Sequence, residues 1–282
     1  MSDYYEWEDK IGKTVGLEGA GIIGIILGDQ LHPPMVYDKK IWKDGRKWRE
    51  GALICVRRLA EVADVKGKKI LDVGCGVGGP GRILATEYDC NVASINISGT
   101  QLRTSKRITL EQGIEEKVLY VRADAESIPF RNSYFDVIWT FNMFYHVQDK
   151  KRAIQEFNRT LREKGTLAFD DWTLTDKIDE GEHNLLKHDW VSGEWIDDKS
   201  LFALLESNGF EINHCEDYSR VHSLMSSYFS PVFERRFKKK IRKIDKFWGN
   251  MTSNHFKRAV ERTIQFYKED KMRYLQIVAT KK

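Results

Sequence analysis

From residue 69 to residue 170, short apolar runs alternate with longer stretches whose apolar positions recur at helical spacing. The short runs are Ile70–Val73, Asn91–Ile95, Val118–Val121, Phe135–Trp139 and Thr166–Phe169. Each reads as a strand buried on both faces. The spacing predicts helices over Gln101–Gln112 and Asp149–Arg162. It predicts another over Lys47–Val65, where Leu53, Val56, Leu59, Ala60 and Val62 share one face. Two further strands are expected at Phe210–Cys215 and Tyr274–Thr280, separated by a helical insertion rich in basic and aromatic residues. Strands alternating with helices predict an α/β fold, a doubly wound and mostly parallel seven-stranded sheet of the Rossmann-like kind with helical lid additions. The chain then divides into an N-terminal lid segment (1–47), a core (48–222), a helical insertion or lid (223–272) and a final core strand (273–282).

Composition narrows the classes. A net charge of +4 over 282 residues is too small for a polyelectrolyte partner to be read from the total, so no nucleic acid is expected. The four cysteines, Cys55, Cys75, Cys90 and Cys215, are widely spaced and show no CxxC pairing, which suggests a cytoplasmic protein. The apolar run GAGIIGIILG at 19–28 is far shorter than the roughly 20 residues of a spanning helix and lacks a basic flank, so it is read as buried near the pocket. Within the insertion, Phe233, Phe237, Ile241, Ile244 and Trp248 fall at helical spacing with lysines and arginines on the remaining face. Such a helix is either a solvated basic face over a packed stripe or a peripheral membrane contact. The sequence leaves the oligomeric state unknown.

The densest chemistry lies at ILDVGCGVGGPGR, residues 70–82, where five glycines fall within eight positions. Gly74, Gly76 and Gly79 satisfy the GxGxxG spacing of a dinucleotide turn, and Asp72, Gly74, Gly76 and Gly78 equally satisfy DxGxGxG. Three features favour S-adenosylmethionine over a nicotinamide dinucleotide. Asp72 ends the strand where a carboxylate suits an ammonium and would repel a pyrophosphate. Ala123-Asp124-Ala125 follows the third strand, placed for an adenine amino group. A loop through Ile128-Pro129-Phe130 then leads to the fourth strand at the expected distance. Pro80 fits a first helical turn, and the helix N-terminus beside Gly78 and Gly79 suits a carboxylate.

Taken together, these residues resemble the class I S-adenosylmethionine-dependent methyltransferases, over about Lys68 to Phe169. DVGCGVGGPGR, SINISGTQL and ADAESIPF with the following FD look most like the small-molecule sterol, tocopherol and sugar O-methyltransferase members. The resemblance implies a cofactor site lined by Asp72, Gly74, Cys75, Gly76, Asn96, Ile97, Gln101, Asp124, Ala125 and Phe141. Two positions depart from the family pattern. Asn96 stands where most members carry an acidic residue for the ribose, and only Gly165 survives of a Pro-Gly-Gly turn, as a helix stop.

Methyl transfer needs alignment above all, and an oxygen or nitrogen nucleophile also benefits from a base. The candidates follow the fourth and fifth strands, where doubly wound sheets place their ligands. They are His146, as general base or as a packing residue, and Asp171, as its partner or as a loop cap. Asp170 is read as ending its strand. Tyr145, Trp172 and Tyr228 are candidate substrate contacts, and no metal site is expected because no third acidic ligand follows the fourth strand. The expected activity is methyl transfer to an oxygen or carbon centre of a small, lipophilic acceptor. The alternatives are a nucleic-acid or protein methyltransferase using the basic helix, and a cofactor-binding protein without catalysis.

Overall fold

The computed structural model describes residues 36–190, 192–229, 231–232, 235 and 251–282. The aromatic residues Tyr4, Tyr5 and Trp7, the apolar run at 19–28 and nearly all of the basic helix over 233–248 lie outside the described residues. Seven strands form one sheet: β1 (Lys69–Val73), β2 (Asn91–Asn96), β3 (Val118–Arg122), β4 (Phe135–Phe141), β5 (Leu161–Leu174), β6 (Phe210–Asp217) and β7 (Met272–Lys281). Their order is β3-β2-β1-β4-β5-β7-β6. β1 pairs in parallel with β2 and β4, and β7 runs antiparallel between β5 and β6. The order reverses at the β1/β4 boundary, and the carboxyl ends of the strands there are where doubly wound sheets hold a ligand.

The helices are α1 (Lys39–Lys43), α2 (Trp48–Val62), α3 (Gly79–Glu87), α4 (Gly99–Glu111), α5 (Lys150–Thr160), α6 (Glu180–Trp190), α7 (Asp198–Ser207) and α8 (Met251–Lys268). Strand residues alternate between two apolar clusters. Ile70, Val137, Trp139 and Ala168 pack with Val56 and Leu59 of α2, Leu84 of α3 and Phe266 of α8. Leu71, Ile138, Leu167 and Phe169 pack with Ile154 and Phe157 of α5 and Leu201 and Leu205 of α7. Side-chain caps set helix starts: Asp149 accepts from Arg152 N (2.9 Å), Ser98 from Gln101 N (3.3 Å) and Asp197 from Ser200 N (2.9 Å). Gly78 caps α3 with φ +77°, and Pro80 sits in its first turn as the sequence predicts.

The main departure is the fifth strand. Four residues were expected, but β5 runs from Leu161 to Leu174, because β7 pairs alongside it from Thr166↔Thr280 to Leu174↔Met272. Asp170 therefore does not end the strand; it and Asp171 lie inside it. α5 stops at Thr160 and β5 begins at once, with Leu161 paired to Phe135. Gly165 is thus no helix stop; a Cβ there would lie 2.7 Å from Leu161 Cγ. Met225 is buried at the π-helical turn Met225–Phe229. Cys55, Cys75 and Cys90 are buried free thiols and Cys215 is an exposed one.

Phe157 of α5 is fully buried and meets the ring of Phe144 at 6.3 Å. Phe157→Ala is expected to cost about 3–5 kcal/mol in urea-induced unfolding, and Phe157→Leu clearly less.

Candidate active site

The loop after β1 is hung on β2: Gly74 N and Cys75 N both donate to Ile95 O, at 3.0 and 3.1 Å. Its glycines serve different ends. A Cβ on Gly74 would fall on the side chain of Met143, which comes from the segment after β4. One on Gly78 would fall on Tyr120 Oη and on Arg82 Nη1, the latter already donating to Val77 O at 2.7 Å. Gly76, with φ +55°, is the contrast: nothing lies within 4 Å of where its Cβ would be. Its carbonyl accepts from Asn96 Nδ2 at 3.3 Å, so the loop turns its carbonyl to β2.

Asn96 is buried and fully engaged, donating also to Gln101 Oε1 (2.8 Å) and accepting from Ser98 N (2.9 Å). Ile97 O accepts from Arg122 Nε at 3.0 Å, and Ala123 N donates to Asn96 O, tying the ends of β2 and β3 together. Asp124 is exposed and caps Glu126 N at 3.0 Å, with Ala125 beside it. Phe141 stacks on Trp139 with the planes 5° apart. The structure therefore brings the ten expected cofactor residues to the carboxyl ends of β1–β4. Asp72 lies deeper, 2% exposed, accepting from Ser94 Oγ at 3.2 Å. Burial raises its pKa to about 7, against the opposing pull of the Ser94 hydrogen bond and Arg82. Burial also pushes the Cys75 thiol well up.

Beyond β4 the chain makes a tight turn, Phe144–His146. Asp171, buried within β5, accepts from Met143 N (2.8 Å) and Phe144 N (2.5 Å) through Oδ2 and from Trp172 N (2.7 Å) through Oδ1. On the other side Lys150, 7% exposed, donates to Phe144 O (2.7 Å) and Val147 O (3.0 Å). The turn carrying Tyr145 and His146 is therefore held by a buried carboxylate at its amides and a buried ammonium at its carbonyls. Burial raises Asp171 to about 7, opposed by its backbone hydrogen bonds and Lys150, and lowers Lys150 to about 8. Gly193 closes on the same turn; a Cβ there would lie 2.5 Å from His146 O.

Tyr145 packs its ring against His146 (4.1 Å), Trp172 (5.3 Å) and Trp195 (5.1 Å). Trp172 also meets Trp190 at 5.2 Å and Tyr274 at 6.3 Å. The structure thus unites His146, Tyr145, Trp172 and Asp171. Tyr228 stands apart from this group: among the described residues its ring meets Lys43 at 5.7 Å and makes no ring contact with Tyr145 or Trp172. Sequence reasoning missed Lys150, which reads as the exposed start of a helix after its Asp149 cap. It also missed Trp190, Trp195 and Tyr274, which reach the wall from distant segments. Among the described residues no group of acidic, histidine or cysteine side chains is arranged to hold a metal.

Gly74→Ala and Gly76→Ala both place a side chain at positive φ, a strain of about 1–2 kcal/mol. Only the first also displaces Met143, so its thermal midpoint is expected to fall well below that of the second. Asp72 gives a pH signature. Folded, it holds its proton to about pH 7; unfolded, only to about 4. Folding takes up a proton between those limits, so this group's contribution to stability falls as pH rises through them. Asp72→Asn cannot titrate, and its unfolding free energy is expected to gain on the parent's steadily from pH 4 to pH 7 in matched urea titrations.

Comparison with known proteins agrees with this geometry. Residues 71–169 match the family model described as "Methyltransferase domain". The chain is 35% identical over 112 residues to the sarcosine/dimethylglycine N-methyltransferase of Halorhodospira halochloris, covering 40% of this chain and 40% of that protein. It is 29% identical over 158 residues to the sterol 24-C-methyltransferase erg6 of Aspergillus fumigatus, covering 54% of this chain and 42% of that one. The chain thus spans well under half the length of these curated relatives. Its fold matches the crystal structure of geranyl diphosphate C-methyltransferase from Streptomyces coelicolor A3(2), with a TM-score of 0.72, 16% identity, and coverage of 100% of this chain and 97% of that chain. Residues 71–169 are therefore similar to the methyltransferase domain family, and they lie within a seven-stranded sheet whose fold matches that of a solved methyltransferase.

Proposed function

We propose that this chain transfers the methyl group of S-adenosylmethionine to a small-molecule acceptor held against Tyr145 and Trp172. The observation that carries the reading is the backbone at Gly76, open where a side chain would be, at the point where the strand order reverses. A cofactor can approach that backbone closely, with the buried acid Asp72 below and the joined Asn96 and Gln101 side chains as a wall. Asp124 and Ala125 at the end of β3 are assigned to the adenine end. When bound, the cofactor supplies a methyl group already activated on a sulfonium, so the protein's part is alignment.

His146 is assigned as the group that takes the proton from an oxygen or nitrogen acceptor. Asp171 spends both oxygens on backbone amides, so with Lys150 it is assigned to hold the turn that carries His146. The aromatic wall suits a lipophilic acceptor body and equally a centre that becomes positively charged. The named relatives act on sarcosine or dimethylglycine and on sterols, which supports a small molecule over nucleic acid or protein. Free thiols at Cys55, Cys75, Cys90 and Cys215 support a reducing, cytoplasmic setting. No described helix is long and apolar enough to cross a membrane.

The test uses methyl-labelled S-adenosylmethionine and a cell extract separated into organic, small polar and macromolecular fractions. Label is expected in the organic fraction. His146→Asn is expected to lower its incorporation by roughly 100-fold, with S-adenosylhomocysteine affinity unchanged by calorimetry. Label in RNA or protein would overturn the reading.

A further inference from the structure

Asn142 follows the last residue of β4 and has φ +52°. Of the described non-glycine residues with positive φ it alone is buried, at 6% exposure; the others sit at exposed turns. Asparagine tolerates the left-handed region better than most residues, yet a buried instance at the carboxyl end of a central strand points to a use for the side chain. The chain at this point is fixed from both sides. Met143 fills the space left by Gly74, and Asn142 N donates to Asp170 O at 2.7 Å.

The side-chain amide is oriented by a buried tyrosine. Asn142 Nδ2 lies 2.6 Å from Tyr274 Oη. Burial, and then the charge of the neighbouring Asp170 carboxylate, keep the Tyr274 hydroxyl protonated. That carboxylate receives Gln276 Nε2 (3.2 Å) and Arg58 Nη2 (3.5 Å), and the Arg58 guanidinium lies 3.4 Å from the centre of the Tyr218 ring. In its contact with Asn142 Nδ2, Tyr274 Oη accepts. The NH₂ end of the amide therefore faces Tyr274. Oδ1 is left as the acceptor end, and it receives no hydrogen bond from any described residue.

We propose that Asn142 Oδ1 accepts a hydrogen bond from the N–H or O–H of the atom that is methylated, so that the acceptor is an amine, an amide or a hydroxyl compound. A carbon centre has no donor to offer and would leave a pinned carbonyl oxygen dry and unpaired, which is the costly arrangement. The amide is held by Tyr274 and Asp170 before the acceptor arrives, so it aims the nucleophile's hydrogen and thereby its lone pair. Arg58, Asp170 and Tyr274 are positioning residues in this scheme. The inference rests on the methyl-transfer reading above and narrows it to nitrogen or oxygen acceptors.

The experiment takes the extract fraction that accepts label from the parent protein, repeats the reaction with ¹³C-methyl S-adenosylmethionine, and reads the methyl shift of the purified product by NMR. Absence of transfer by the parent removes the methyl-transfer reading itself, so that failure is separate from this one. The expected product carries its methyl on nitrogen or oxygen. Asn142→Gly keeps the left-handed backbone and removes only the amide; it is expected to lower kcat/KM by about 100-fold while S-adenosylhomocysteine affinity by calorimetry stays within about twofold of the parent. Tyr274→Phe frees the amide to rotate and is expected to lose about tenfold, again with cofactor-product affinity kept. A methyl group on carbon overturns the proposal. So does an Asn142→Gly variant as active as the parent, or one whose loss of activity is matched by loss of S-adenosylhomocysteine affinity.

Discussion

Two loops compete for one volume at the reversal point of the sheet, and the site follows from how that is resolved. The loop after β1 and the segment after β4 approach so closely that Met143 occupies the place of a side chain at residue 74. Glycine there is a packing requirement before it is anything else. With Met143 seated, its amide and that of Phe144 are brought to the Asp171 carboxylate, and the next turn is set down over Lys150. In this loop Gly76, which leaves space empty, lies between Gly74 and Gly78, which neighbours fill. Interlocking on the inside is what leaves a bare stretch of backbone on the outside.

β5 contributes adjacent acids to opposite faces of the sheet. Asp171 faces the turn that carries His146, and Asp170 faces α2, Tyr274 and Gln276. Strand geometry alone sends neighbouring side chains to opposite sides. Each acid is fully removed from water and carries hydrogen-bond donors, which makes a buried carboxylate tolerable. Their backbones stay rigid because β7 pairs along the whole stretch. The fixed sheet is thus continuous with the two segments that meet at the reversal point.

Much of this was legible from local pattern. The positions of β1 to β4, the glycine loop, the helix start at Asp149 and the placing of the expected cofactor residues near strand ends all depend on residues near one another in sequence. What was not legible depends on pairing across distance. The length of β5 is set by β7, about 100 residues away, so Asp170 and Asp171 read as residues beyond a strand. Gly165 had the look of a helix stop because nothing nearby reveals that Leu161 already pairs with Phe135. Lys150 carries no local sign of burial, since a lysine after an Asp cap is ordinarily solvated. The partners of Asn142 come from positions 170 and 274, and no motif around residue 142 announces them.

The placement of β7 between β5 and β6 has a consequence for biosynthesis. A ribosome makes β5 and β6 first, and in the sheet these two are not neighbours. Until residues 272–281 emerge, β5 presents an open edge on one side and β6 has no strand to pair with. Tyr274, which orients Asn142, arrives with that same strand. A nascent chain therefore holds a glycine loop, β1 to β4 and the His146 turn in sequence order, yet lacks the strand that joins β5 to β6 and covers the edge of β5. Until then the bare edge of β5 is a surface on which another unfinished chain can pair.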